Sequence, residues 1–253
     1  MNKVDKDDKN KDIINKIKEI FNFHKGRYGY RRIALELYNQ GYNINHKKVY
    51  RLMVKFNLVP IVRRKRKYSS YKGTIGKIAD NLINREFDSN MPNTKWYTDV
   101  TEFKLNGEKI YLSPIIDGYN QEIISYNISK TPNLEQINDM LSNAFDNKDL
   151  GNLIFHSDQG WQYQHQSYQK QLKDMKIKQS MSRKGNSMDN GLMENFFGIL
   201  KTEMFYDQED KYNSIDDLIN AINEYIYYYN YDRIKVKLKG LSPVKFRLQS
   251  LNQ

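Results

Sequence analysis

Apolar residues recur at helical spacing through the first sixty positions and switch to a two-residue alternation near position 95. In KDIINKIKEIFN, residues 11–22, Ile13, Ile14, Ile17, Ile20 and Phe21 share one side of a helix. YRRIALELYNQ carries a second helix that stops at Gly41, and Asn45 can cap a third, HKKVYRLMVKF, which Pro60 ends. Together they give a helix, a short turn and a second helix with His46, Lys47, Lys48 and Arg51 near its start. That is helix-turn-helix spacing, with the basic helix placed to enter a major groove.

From Lys95 the pattern is that of strands. KWYTDVTEFKL alternates, Asn106-Gly107 predicts a hairpin, and KIYLSPIID and QEIISYNIS read as two further strands. Pro114 inside the second implies a missing ladder donor, at a bulge or on an edge. A helix (NLEQINDMLSNAF), a short strand (NLIFHSD), a helix (SYQKQLKDM), a strand (IKQSMS) and long helices from about Met188 and Ser214 come next. The order βββαβαβα predicts an α/β fold of the ribonuclease H-like type: a mixed five-stranded sheet flanked by helices, with its first and fourth strands adjacent, preceded by a small all-α helix-turn-helix domain.

Composition adds a division of the chain. Its 253 residues suffice for one catalytic domain and a small accessory one. The expected boundaries are a helix-turn-helix domain at 1–61, a basic linker at 62–87 and a catalytic domain with its C-terminal helices at 88–253. Cysteine is absent, which excludes disulfides, thiolate zinc sites and cysteine nucleophiles. No run of eighteen apolar residues occurs, so the reading is of a soluble, unexported protein without membrane contact.

Charge is unevenly placed. Between Leu37 and Ala79 there is no acid, while Lys47, Lys48, Arg51, Lys55, Arg63, Arg64, Lys65, Arg66, Lys67, Lys72 and Lys77 supply eleven cations. Removing those from the 41 basic residues leaves 30 against 30 acidic, so the whole surplus of +11 sits in one segment. Such a block favours a polyanion, because neutralising phosphates releases condensed counterions.

In the predicted topology Asp99 on the first strand and Asp158 at the end of the fourth become neighbours, although 59 positions separate them. Glu194 stands 36 positions later on the helix MDNGLMENFFGILKTEM, where Asn190, Glu194, Gly198 and Lys201 form a polar stripe beside an apolar one. Three carboxylates suit hard divalent cations such as Mg²⁺, and a pair of ions about 4 Å apart can clamp the attacking and leaving oxygens of an in-line phosphoryl displacement. Taken singly, each of these acids reads as a turn or surface residue.

Taken jointly, WYTDVTEF, FHSDQGWQY and NGLMENFFGILK resemble the DDE catalytic core of retroviral integrases and bacterial insertion-sequence transposases. RYGYRRIALELYNQGYNINHKKVYRLM, NREFDSNMPNTKW, SRKGNSMDNGLMENFF and YIYYYNYDRIKVKLKGLSPVKFR extend the resemblance, from about Arg27 to Arg247, to one insertion-sequence group whose transposase is encoded in two frames joined by frameshifting. The resemblance implies that Asp99, Asp158 and Glu194 are the catalytic residues and the ligands of two Mg²⁺ or Mn²⁺ ions, with Asp99 bridging them. It implies DNA contacts by Lys201 and, in the loop before the catalytic helix, by Arg183 and Lys184; charge and helix-turn-helix spacing add Lys47, Lys48, Arg51, Arg63, Arg64 and Arg66 of the basic segment. His156 and Asn190 are expected to support the ligands from behind. Asp117, Asp189 and Glu203 are left out of the triad.

The function implied by the resemblance is cleavage at insertion-sequence ends and strand transfer, on transposon-end and target DNA, by a homo-oligomer assembled on that DNA in the bacterial cytoplasm and nucleoid. The amino-terminal His/Cys zinc module of retroviral integrases is missing, its place taken by the helix-turn-helix. The upstream portion usual in the complete transposase of the group is not visible, so the chain looks like the second-frame product, with the first-frame product as a partner. A silent regulator bound to transposon ends is the alternative. Twenty tyrosines and His24-Lys25-Gly26-Arg27 imitate a tyrosine recombinase, but that element stands too near the start of the chain.

Overall fold

The computed structural model describes residues 10–63, 78–132, 134–145 and 150–251. The chain divides into two compact units, one made of residues 1–64 with 231–253 and one of residues 65–230.

The larger unit is built on a mixed sheet of six strands among the described residues: β1 (Lys95–Thr98), β2 (Thr101–Leu105), β3 (Glu108–Asp117), β4 (Ile123–Ser129), β5 (Ile154–Ser157) and β6 (Lys178–Met181). β3 pairs antiparallel with β1, β2 and β4, whereas β5 runs parallel to both β1 and β6. Asn106 and Gly107, both at positive φ, turn β2 into β3 as their sequence predicts.

The expected first strand, 95 to 105, is two strands, and this raises the count from five to six. Thr98 pairs with Ile115 and Thr101 with Leu112, so a single register holds on both sides of the gap. Continued through the gap, it sets Asp99 opposite Pro114. Proline brings no N–H to a ladder, and the pairing lapses there. Pro114 itself pairs with Tyr126 of β4, and a register shift occurs next, between Ile115 and Ile116, the bulge that the proline predicts.

Alternation along the strands sends neighbouring residues to opposite faces. Trp96 and Ile115 join Ile137, Met140 and Leu141 of α4 (Leu134–Phe145) and Leu172 of α5 (Gln166–Asp174). Tyr97 and Ile116 join Leu192, Phe196 and Leu200 of α6 (Gly191–Met204) and Leu218, Ile222 and Tyr225 of α7 (Ile215–Tyr231). Each such buried side chain contributes about 1.5–3 kcal/mol. The outer edge of β6 is covered by the preceding chain: Met181 N donates to Asp80 O at 3.3 Å and Leu82 N to Ser180 Oγ at 2.9 Å.

In the smaller unit α1 (Lys11–Phe23), α2 (Tyr30–Asn39) and α3 (His46–Lys55) pack through Ile17, Ile20, Ile33, Leu37, Val49 and Met53. Asn45 caps α3 as expected, accepting from Lys47 N at 2.8 Å. Residues 231–253 group with these helices. Ile234 enters their core, its N–H donates to Tyr28 Oη at 2.8 Å, and Asn39 Nδ2 donates to Gly240 O at 2.8 Å. α8 (Pro243–Leu251) lies in this unit. Among the described residues no helix is long and apolar enough to cross a membrane.

Candidate active site

Trp96 and Tyr97 of β1 pair in parallel with Phe155 and His156 of β5. Two residues further along both strands stand Asp99 and Asp158. Both residues are half-buried at the sheet's end. Burial pushes Asp99 well above the usual carboxylate range, and the charges of Asp158 and then Glu194 push it further. Burial raises Asp158 as well. Among the described residues it is backbone that lowers them: Val100 N donates to Asp99 Oδ1 at 2.7 Å and Gly160 N to Asp158 Oδ1 at 2.9 Å. The Gly160 contact is a tight Asx turn, in which a Cβ at position 160 would stand 3.0 Å from that same oxygen. Thus Asp158 ends its strand as a turn residue and remains beside Asp99.

Two phenols back the pair. Tyr163 and Tyr168 are fully buried, and their hydroxyls are pushed up first by burial and then by nearby carboxylate charge. They wall the carboxylates without contributing charge of their own.

Glu194 lies one turn into α6 and is half-buried, and its influence on Asp99 places it in electrostatic range of the pair. Asn190, just before the helix, donates from Nδ2 to Thr98 O at 3.2 Å, the carbonyl directly before Asp99. Its expected supporting position is thus against the backbone of the Asp99 strand. Among the described residues no three His, Cys, Asp or Glu side chains are gathered closely enough to hold a metal ion. The oxygen-donor pair at the sheet's end, raised by burial and held by one amide each, still has the chemistry that a hard divalent cation satisfies.

His156, expected behind Asp158, is fully buried and bonded elsewhere. Its Nδ1 lies 2.8 Å from Ser180 Oγ and its Nε2 3.2 Å from Ser182 Oγ. Ser182 Oγ has its proton directed at Ser157 O and is placed to accept from Nε2, an arrangement that assigns the imidazole proton to Nε2 and leaves Nδ1 to accept from Ser180 Oγ. Ser182 Oγ then donates to Ser157 O at 3.4 Å, the carbonyl before Asp158. Burial holds the ring neutral and lowers its pKa to about 4, against a smaller opposite pull from Asp189. The histidine is thus linked to Asp158 through this serine chain and the β5 backbone.

The expected DNA-contact residues separate into groups. Lys47, Lys48 and Arg51 are exposed on α3, and Arg63 is exposed beyond it, while Arg64 and Arg66 lie outside the described residues. Lys184 is exposed. Lys201 Nζ donates to Glu102 O at 2.7 Å and sits 4.9 Å from the Phe103 ring centroid, and burial lowers its pKa to about 8 despite Glu102. Arg183 is committed to Asp189, with Nε 2.8 Å from Oδ2 and one terminal nitrogen 2.9 Å from Oδ1. Of the acids set aside, Asp117 accepts from Asn93 N and Tyr119 N, both at 2.9 Å, and Glu203 accepts from Tyr225 Oη at 2.8 Å. Asp189 is the residue that the sequence undersells. Its local signals are Arg183, six positions earlier, and its place directly before Asn190.

Residues 89–187 match the family described as Integrase core domain, residues 194–251 a second family of the same description, and residues 7–66 the HTH-like domain. InsK of insertion sequence element IS150 from Escherichia coli (strain K12) is 49% identical over 98% of this chain and 87% of its own length. Transposase InsF for insertion sequence IS3A, also from Escherichia coli (strain K12), is 32% identical over 91% of this chain and 80% of its own. A cryoEM structure of the simian T-cell lymphotropic virus intasome in complex with PP2A regulatory subunit B56 gamma shares the fold, with a TM-score of 0.50 and 18% identity over 87% of this chain and 70% of the other.

Proposed function

The chain belongs to the insertion-sequence transposases with an integrase core, and on that premise we propose that Asp99, Asp158 and Glu194 are the carboxylates through which it cleaves and rejoins DNA. Its function is DNA transposition. The observation that supports this placing of the chemistry is the side-by-side ending of β1 and β5 in two carboxyls, beside which no cation among the described residues lowers either one.

Asp99 and Asp158 would hold the divalent ions, Mg²⁺ or Mn²⁺, and Glu194 on α6 would complete the ligand set. Two such ions supply Lewis-acid stabilisation of charge on the oxygens of an in-line phosphoryl displacement. The chain's own part is positional. The Asx turn at Asp158 and the Val100 amide fix the pair, Asn190 ties the start of the catalytic helix to the Asp99 strand, and Tyr163 and Tyr168 exclude water from behind. Hydrolysis at an element end would free a 3′-hydroxyl, which would then displace a 3′-oxygen from a target phosphodiester.

Lys47, Lys48 and Arg51 of α3 would track the duplex, with the basic segment after it adding phosphate contacts, and Lys184 and Lys201 would meet DNA at the catalytic unit. An element has two ends, each needing an active site, so a homo-oligomer on DNA is the working form. The test is strand transfer on labelled end-sequence duplexes with Mg²⁺ or Mn²⁺. Wild type should give joined products and Asp158→Asn none; equal activity in both would remove the triad.

A further inference from the structure

Five donors converge on the two oxygens of Asp189, which is 0% exposed. Arg183 gives three, from N at 3.1 Å, Nε at 2.8 Å and a terminal nitrogen at 2.9 Å. Arg85 Nε adds one at 3.1 Å and Asn81 Nδ2 one at 3.0 Å. Three separate stretches therefore meet on one carboxylate: residues 81–85, the turn at 183–186, and the short 3-10 turn Ser187–Asn190 that opens α6.

The first stretch is shaped for this contact. Asn81 Oδ1 accepts from Ile83 N at 2.9 Å and Asn84 N at 3.0 Å, which leaves its amide nitrogen for Asp189. Asn84 and Arg85 have φ of 48° and 67°, left-handed values that cost about 1–2 kcal/mol per residue and persist only where surrounding contacts hold them. Arg85 also reaches Asn186 Oδ1 at 3.2 Å, and Asp189 N donates to Asn186 O at 3.0 Å, so the second stretch is fastened to the same hub. One residue on, Asn190 holds the carbonyl before Asp99, and Glu194 stands one helical turn later.

We propose that Asp189 is a positioning residue for the catalytic centre: by clamping 81–85 and 183–186 to the first turn of the catalytic helix, it fixes where Asn190 and Glu194 stand against Asp99 and Asp158. A carboxylate is required because five donors from two guanidiniums, an amide and a backbone N–H need two anionic acceptors, whereas an asparagine offers one neutral oxygen. This rests on reading Asp99, Asp158 and Glu194 as the metal-holding set.

The experiment compares full-length wild type with Asp189→Asn in three readouts: Mn²⁺ binding followed by electron paramagnetic resonance of the free ion, the Mn²⁺ concentration for half-maximal strand transfer, and thermal melting. Supporting partners behind metal ligands are worth about 10–100-fold in metal affinity or activity, so both metal readouts should move up by about that factor, with part of the lost activity recovered at saturating Mn²⁺. A lowered melting point with unchanged Mn²⁺ binding and half-saturation would overturn the proposal, because a purely structural tie predicts that result. If Asp189→Asn does not fold, Arg85→Gln, at a side chain 44% exposed, carries the test: a smaller shift in the same direction supports the clamp and no shift overturns it. A wild type that neither binds Mn²⁺ nor joins strands would instead sink the metal-carboxylate reading itself.

Discussion

Asp99 and Asp158 stand at the same level of two neighbouring parallel strands, two residues beyond the Tyr97–His156 pair. Asp99 is free of the ladder on its other side because it faces Pro114, whose ring nitrogen has no proton to give. The break in the first strand and the pairing of the fourth thus bring two acids together at one edge of the fold.

Their burial, with the added charge of Asp158 on Asp99, has a stability signature. Both groups are raised in the folded state, so the stability that they contribute is full below the unfolded carboxylate range and is lost as pH rises through the folded values. In EDTA, the melting temperature of wild type minus that of Asp158→Asn should fall from acid to neutral pH. Added Mg²⁺ at neutral pH should raise wild type and leave the variant unmoved. A flat difference curve would argue against the pair.

His156 carries the opposite slope. Its neutral form is favoured, with a pKa near 4 against 6.5 unfolded, so stability is complete above pH 6.5 and is lost as pH falls toward 4. The full effect is about 3 kcal/mol. Denaturant titrations of wild type and His156→Gln between these limits measure it, and nitrogen NMR should place the proton on Nε2.

Gly118 allows the close approach that seats β1. A Cβ there would meet Phe87 O at 2.6 Å, the Tyr97 ring at 3.0 Å and Lys95 O at 3.2 Å, two of them backbone atoms that cannot swing away. Gly118→Ala should therefore destabilise the protein by about 1–3 kcal/mol in equilibrium unfolding.

The basic face of α3 predicts a salt effect. Lys47, Lys48 and Arg51 are exposed there, and if each neutralises one phosphate, replacing any of them by Ala should reduce the slope of log affinity against log salt by about 1, similarly on end and unrelated duplexes. A loss confined to end sequences would mean base contacts instead.

Much of this is legible in the sequence because the signals are local. Asn45 before a periodic run announces a capped helix, Asn106-Gly107 a hairpin, and the motifs around Asp99, Asp158 and Glu194 carry their family resemblance in their own text. The strand break at Asp99 is hidden, since alternation runs through residues 95–105 and only the pairing with β3 reveals that Pro114 lies opposite. Asp189 looks like a spare acid because Asn81 and Arg85 lie 108 and 104 positions away from it. His156 gives the right strand face but not its partners, two serines on β6 and just beyond it. The grouping of residues 231–253 with α1 to α3 rests on Ile234 and Gly240 meeting residues some two hundred positions earlier.

Anomalous diffraction from Mn²⁺-soaked crystals of wild type and Asp158→Asn tests the carboxylate pair with nothing in between. Mn²⁺ peaks should stand against the carboxylates of Asp99 and Asp158 in wild type and be lost in the variant. Ordered Mn²⁺ elsewhere with none at this pair, or unchanged peaks in the variant, would contradict the assignment.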